Sequence, residues 1–167
     1  MNKAFTKEDE GPQADRLDDL PQSPHPNYVT PAGLATLQQR LRYRHTELSA
    51  LPRDNLDAKL PRAMAERDIR FLEGRINRAI VVDPAAQDTA VIAFGACVTV
   101  VDEDDMEADW HIVGEDEADP AAHRIAPFSP LAGALLGAQV GDVVEWTKPG
   151  GTVDLEVIAI RYFKQYL

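Results

Sequence analysis

The sequence predicts an α+β fold in which a short antiparallel helical hairpin precedes a small domain with a mostly antiparallel sheet. Three observations predict it. Leucines recur at helical spacing from Leu34 to Leu51, and a second apolar series, Ala65, Ile69, Leu72, Ile76 and Ala79, advances in alternating steps of four and three. Pro52 and Pro61 punctuate the stretch between the two series. From residue 91 onward the apolar runs shorten to strand length and are separated by turn residues.

Taken in order, residues 1–27 are polar, acidic and proline-containing, ending in PQSPHP. They offer too little apolar surface to offset the entropy of ordering, so a disordered arm is expected. Residues 28–82 form the expected hairpin. Thr30 can cap the first helix, with Pro31 at its first position. Leu34, Leu37, Leu41, Leu48 and Leu51 make its apolar stripe, interrupted by Arg44, and Pro52 ends it. RDNLDAKL (53–60) reads as the tip, and Pro61 as the opening of the second helix. Arms of about 20 residues are about 30 Å long, and both are charged on every face but the seam.

Residues 90–167 form the sheet domain. Candidate strands are VIAFGACVTVV (91–101), WHIVG (110–114) and HRIAPF (123–128). LAGALLG (131–137) reads as a short helix ended by Gly137. DVVEWTK (142–148) and TVDLEVIAI (152–160) flank a turn at Pro149, Gly150 and Gly151. Leu131, Leu135 and Leu136 are expected to pack inward, beneath a helix capped by Ser129.

The net charge of −11 is unevenly distributed. Residues 31–79 hold 10 basic and 6 acidic side chains, whereas residues 80–167 hold 4 basic and 16 acidic. So acidic a C-terminal half argues against independent DNA binding, which requires a basic face. No apolar run is long enough to span a membrane and the N-terminus has no signal-like apolar core, so a cytoplasmic location is expected. Cys97 is the only cysteine and lies in a strand pattern, which points to the core. Phosphate-loop, dinucleotide and zinc motifs are absent from the sequence. The acidic runs DEDDME (102–107) and GEDEAD (114–119) lack calcium-loop spacing and read as solvated loops. The four histidines are scattered, and Trp110 and Trp146 read as core or half-buried strand residues. Neither a metal, a cofactor nor an enzymatic centre of the chain's own is expected.

The C-terminal stretches FGACVTV (94–100), HIVGEDEAD (111–119), SPLAGALLG (129–137), VGDVVEW (140–146) and PGGTVDLEVIAI (149–160) resemble, in order and spacing, the C-terminal domain of Gre-family (GreA/GreB-like) transcription elongation factors. YVTPAGLATLQQRL (28–41), ERDIRFLEGRI (66–76) and VVD (81–83) resemble the ends of the family's coiled coil. The resemblance implies that the C-terminal domain is FKBP-like and docks at the rim of the RNA polymerase secondary channel, while the coiled coil enters the channel. In cleavage factors of the family an acidic tip helps hold the second catalytic metal, whose oxygen ligands the polymerase alone does not complete.

The chain departs from that pattern at the tip. The Gly-Asp-x-Ser-Glu-Asn type of motif is missing, the hairpin reads as several turns shorter, and the nearest acids are Asp54 and Asp57. The implied docking residues are Phe128, Ser129, Pro130 and Leu131, with Phe128 where the family usually has a polar residue. The expected function is a Gre-like regulator that binds RNA polymerase at the secondary channel without stimulating transcript cleavage, competes with cleavage factors, and contacts polymerase-bound RNA at most indirectly. One alternative is a genuine cleavage factor using Asp54 and Asp57. Another is an FKBP-like prolyl isomerase with a pocket lined by Phe94, Trp110, Phe128 and Trp146.

Overall fold

The computed structural model describes residues 16–164. Strand β1 (Asn27–Val29) leads into helix α1 (Pro31–Ala50), which a tip connects to helix α2 (Lys59–Asn77) and strand β2 (Ala79–Val81). There follow β3 (Cys97–Val101), β4 (Glu107–Ile112), β5 (Arg124–Ile125), helix α3 (Pro130–Leu135), β6 (Val143–Lys148) and β7 (Gly151–Arg161).

The hairpin forms where the sequence places it. The Thr30 side chain accepts from the Gly33 amide at 3.0 Å, and Pro31 occupies the first turn, where a missing N–H costs nothing. α1 stops two residues before Pro52. Pro61 does not open α2; a 3-10 turn at Leu56–Ala58, capped by Asn55, feeds the chain in, and α2 starts at Lys59. Pro61 is still within the first turn, whose amides have no intrahelical acceptor. Leu37 and Leu72 are buried at the centre of the seam, with Leu34, Leu41, Phe71 and Ile76 packed around them. Arg44 leaves the apolar stripe to bridge the helices, reaching Glu47 at 2.6 Å and Asp68 at 3.0 Å. Nearer the tip, Arg62 donates to the carbonyls of Leu48 and of the capping residue Leu51, tying α2 to the end of α1. Ala79 packs against the same cluster, but from a strand and not from the helix. The helix has already ended, and Ala79 pairs with Asn27 in a three-residue parallel ladder between β1 and β2.

The sheet runs β5-β4-β3-β7-β6, antiparallel except for the β4–β5 pair. The expected strand over 91–101 is a strand only in its second half. Gly95 at φ +90 turns the chain tightly against Pro84, and β3 begins at Cys97. The residues before it still reach the core: Ile92, Phe94 and Ala96 are buried with Val98, Val100, Ile112, Leu131, Leu135 and Val157. HRIAPF likewise contributes only the two residues of β5. The β6–β7 hairpin turns at Pro149 and Gly150 as expected. Cys97 is half-buried rather than core, its sulfur 3.9 Å from an Arg161 nitrogen.

The larger correction concerns GEDEAD. It is a 3-10 turn wedged against the base of the hairpin, not a solvated loop. Arg75 of α2 is 2% exposed, and its guanidinium donates to Asp116 at 2.8 Å, Glu115 at 3.3 Å and the Asn27 side-chain carbonyl at 2.6 Å. The Asn27 amide returns a bond to the Arg75 carbonyl at 2.7 Å. Glu117 accepts from the Thr30 hydroxyl at 2.6 Å and from the Gly114 amide at 3.1 Å. Its carboxylate occupies the space a side chain at Gly33 would need, which explains a glycine in the first turn of a helix.

The expected disordered arm is corrected over residues 16–26; residues 1–15 lie outside the described residues. Residues 16–26 have no regular structure, yet polar contacts fasten them along α2. Asp19 pairs with Arg70 at 2.5 Å, Gln22 donates to the Phe71 carbonyl at 3.0 Å, and Arg78 reaches the Gln22 side chain at 2.9 Å. Ser23 continues to Glu115 at 2.9 Å. Hydropathy did not reveal this because the anchors are hydrogen bonds to distant partners.

Arg75→Met is expected to cost about 1–3 kcal/mol in urea unfolding, because it leaves the buried Asn27 side-chain carbonyl without its donor and the half-buried Glu115 and Asp116 without their cation. Arg161→Met, at an exposed pair with Asp109, leaves the midpoint nearly unchanged. Burial on β4 holds the His111 imidazole below its ordinary pKa of 6.5. The resulting stability is complete above the unfolded-state pKa and is lost as pH falls through the lower folded-state value. His111→Gln therefore flattens the acid side of a stability profile measured downward from about pH 7.

Candidate interaction surface

The turn before α3 is built by one serine. Ser129 is extended at φ −70, ψ 155; its hydroxyl donates to the Ala126 carbonyl at 2.7 Å and accepts from the Ala132 amide at 3.3 Å. Fixing both flanks of the turn in this way decides where the four expected docking residues point. Pro130 is exposed and Phe128 is 42% exposed. Leu131 is 2% exposed and belongs to the core, so its side chain gives no surface to a partner. Leu136, expected to pack inward, is 38% exposed, because the helix ends at Leu135 and the chain turns outward at Gly137 with φ +84. Val140 and Val143 are exposed farther along the chain. The candidate surface is thus apolar and carried by Phe128 and Pro130, with Ser129 shaping it from within.

Two residues that the sequence reading passed over join it. The His25 ring stacks on Phe128, with centroids 4.1 Å apart and planes 13° apart. The Tyr28 ring lies 6.4 Å from Phe128 and 5.9 Å from Phe94. No local pattern connects His25 to a phenylalanine about a hundred positions away. The four aromatics expected to line one peptide pocket fall into two groups instead. Phe94 and Phe128 belong to this series, while Trp110 and Trp146 meet edge to face at 5.9 Å, with His123 stacked on Trp110 and Lys148 over Trp146.

At the hairpin tip, Asp54 and Asp57 are both exposed. The Asp57 backbone amide donates to the Asn55 side chain at 2.9 Å, which fixes the turn. The same tip displays Leu56 at 83% exposure and Leu60 at 59%. No group of three or more potential metal-ligating side chains converges among the described residues. No helix among them is long and apolar enough to cross a membrane.

The family model described as transcription elongation factor, GreA/GreB, C-terminal, matches residues 87–162. The chain is 36% identical to the transcription elongation factor GreA of Azorhizobium caulinodans, over 80% of this chain and 96% of that protein. It is 42% identical to the GreA of a Methylobacterium species over 63% of this chain and 67% of that one. Among solved structures, GreA factor homolog 1 (Gfh1) of Thermus thermophilus is 28% identical, covering 82% of this chain and 99% of its own, with a TM-score of 0.40. A GreA/GreB elongation factor from Nitrosomonas europaea is 25% identical, covering 81% and 99%, with a TM-score of 0.41.

Leu131→Ala is expected to lower stability by about 2–5 kcal/mol, the cost of a cavity in a packed core. Phe128→Ala moves the urea midpoint far less, since much of its ring already faces solvent. A Leu131 variant that unfolds like wild type would remove that residue from the core.

Proposed function

The chain belongs to the GreA/GreB family of transcription elongation factors, and on that premise we propose that it regulates RNA polymerase from the secondary channel without stimulating transcript cleavage. The face of Phe128, Ser129 and Pro130 docks on the channel rim, and the hairpin, shorter than a cleavage factor's, enters and partly fills the channel. The chain thereby competes with cleavage factors. It performs no chemistry itself and touches polymerase-bound RNA only through the space it occupies.

The observation that carries this reading is the tip. Assisting a two-metal cleavage requires carboxylate oxygens aimed together at the weaker metal. Here two exposed carboxylates, Asp54 and Asp57, flank a projecting Leu56 and lie on a stalk whose helices have 20 and 19 residues. An error of about 1 Å in placing such groups already costs on the order of a hundredfold in rate, so a blunt apolar tip favours occlusion over catalysis. Arg40 and Arg42 are exposed on α1 with no ion-pair partner among the described residues, whereas Arg44 is committed to Glu47 and Asp68. The two free arginines suit entry into an acidic channel.

Backtracked elongation complexes carrying end-labelled RNA test the proposal. The protein alone is expected to release no cleavage product, and in excess it should suppress cleavage by a competent Gre factor. Cleavage by the protein alone, abolished by Asp54→Ala with Asp57→Ala, would establish the cleavage-factor alternative in its place. Charge reversal at Arg40 and Arg42 is expected to weaken polymerase binding and reduce its salt dependence. Unchanged binding across a salt series would remove the steering role.

A further inference from the structure

We propose that His25, from the N-terminal segment, is part of the polymerase-docking face and forms one composite element with Phe128. The inference rests on the docking reading above and adds a residue lying outside the family-model match, which begins at residue 87.

The stack is imposed by the chain on its N-terminal side. The Ser23 hydroxyl donates to Glu115 at 2.9 Å and accepts from the His25 amide at 3.3 Å. Two residues later, Asn27 is buried and locked to Arg75. His25 therefore stands between two anchors, both tied to the Glu115–Glu117 turn and the base of α2. Phe128 stands on the Ser129 turn, anchored independently by the bonds of that hydroxyl. Two separately fixed backbones bring the rings to 4.1 Å at 13°, a stacked geometry.

The stack leaves both rings accessible. His25 is exposed, and Phe128 keeps 42% of its surface open beneath it. Pro24, Pro26 and Pro130 are exposed alongside, so the rim of the patch carries no charged side chain at these positions. Rigid rings and prolines lose little conformational entropy on contact. The surface fits an aliphatic or aromatic side chain on the polymerase rim, and the exposed His25 ring extends the area that Phe128 offers it.

The test is the equilibrium affinity of the full chain for core RNA polymerase, measured for wild type, His25→Ala, His25→Phe, Phe128→Ala and the double alanine variant. His25→Ala should weaken binding by about threefold to tenfold. His25→Phe should restore it to within about twofold, because a second aromatic ring keeps the stack. The double variant should bind more weakly than Phe128→Ala alone but by less than the product of the two single effects, since the rings touch each other as well as the partner. Thermal midpoints of all four variants should stay near wild type, which separates docking from folding. If His25→Ala binds like wild type while Phe128→Ala is weakened, the inference is wrong and the docking reading stands. Failure of the wild type itself to bind polymerase would overturn the docking reading, and this inference with it.

Discussion

Arg75 has to be paired where it stands. Its guanidinium is buried at the base of the hairpin, and a buried charge of that size is tolerated only with opposite charge and hydrogen-bond acceptors around it. Those acceptors come from two distant parts of the chain, Asn27 ahead of α1 and the Glu115–Asp116 turn of the sheet domain. Glu117 adds a second clamp a few residues away by holding the capping hydroxyl of Thr30. The first residue of organised structure in the hairpin is thus fixed by the sheet domain. A helix cap, a buried ion pair and a domain joint have become one polar cluster, which holds the two halves of the molecule together with the packing of Tyr28 and Val82 on the sheet-domain core.

The remaining architecture follows from that joint. Because Asn27 and Arg75 are tied together, β1 and β2 lie side by side, and the hairpin leaves from a closed base. Because the Ser23–Glu115 bond joins the same cluster, the segment before β1 is drawn over the sheet domain and reaches Phe128. The apolar seam of Leu37 and Leu72 then stiffens the hairpin from its base outward, with Arg44 and Arg62 taking over toward the tip, where buried alanines replace leucines.

Much of this was legible in the sequence wherever the physics is local. The Thr30 cap, the stop before Pro52, the two seams, the Ser129 cap and the Pro149–Gly150 turn each depend on a few neighbouring residues whose preferences agree. What escaped depends on partners far along the chain. GEDEAD looks solvated because its carboxylates are many and adjacent, and nothing within it announces a buried arginine 40 positions earlier. Leu131 and Leu136 both carry leucine chemistry on one short helix, yet one is core and one is surface, because the helix ends between them. The β1–β2 ladder is too short to leave an alternating pattern, and Gly95 hides a turn inside what reads as a continuous strand. Within the turn around Ser129, only the folded chain separates the exposed Phe128 and Pro130 from the buried Leu131 and brings His25 against Phe128.

The parallel ladder between Asn27–Val29 and Ala79–Val81 has a consequence for how such a molecule can diversify. It brackets everything from Thr30 to Arg78 as a single insertion whose two ends meet at a fixed site. Residues added in matched heptads to both arms would extend the seam without disturbing the bracket or the polar cluster beneath it, since each heptad returns the apolar stripe nearly to its starting face. Reach is therefore a property that can be lengthened or trimmed in steps of about 10 Å, while the base of the hairpin and the sheet domain stay unchanged. In a protein organised this way, stalk length and tip chemistry are free to evolve separately from the joint that fixes the hairpin to the sheet domain.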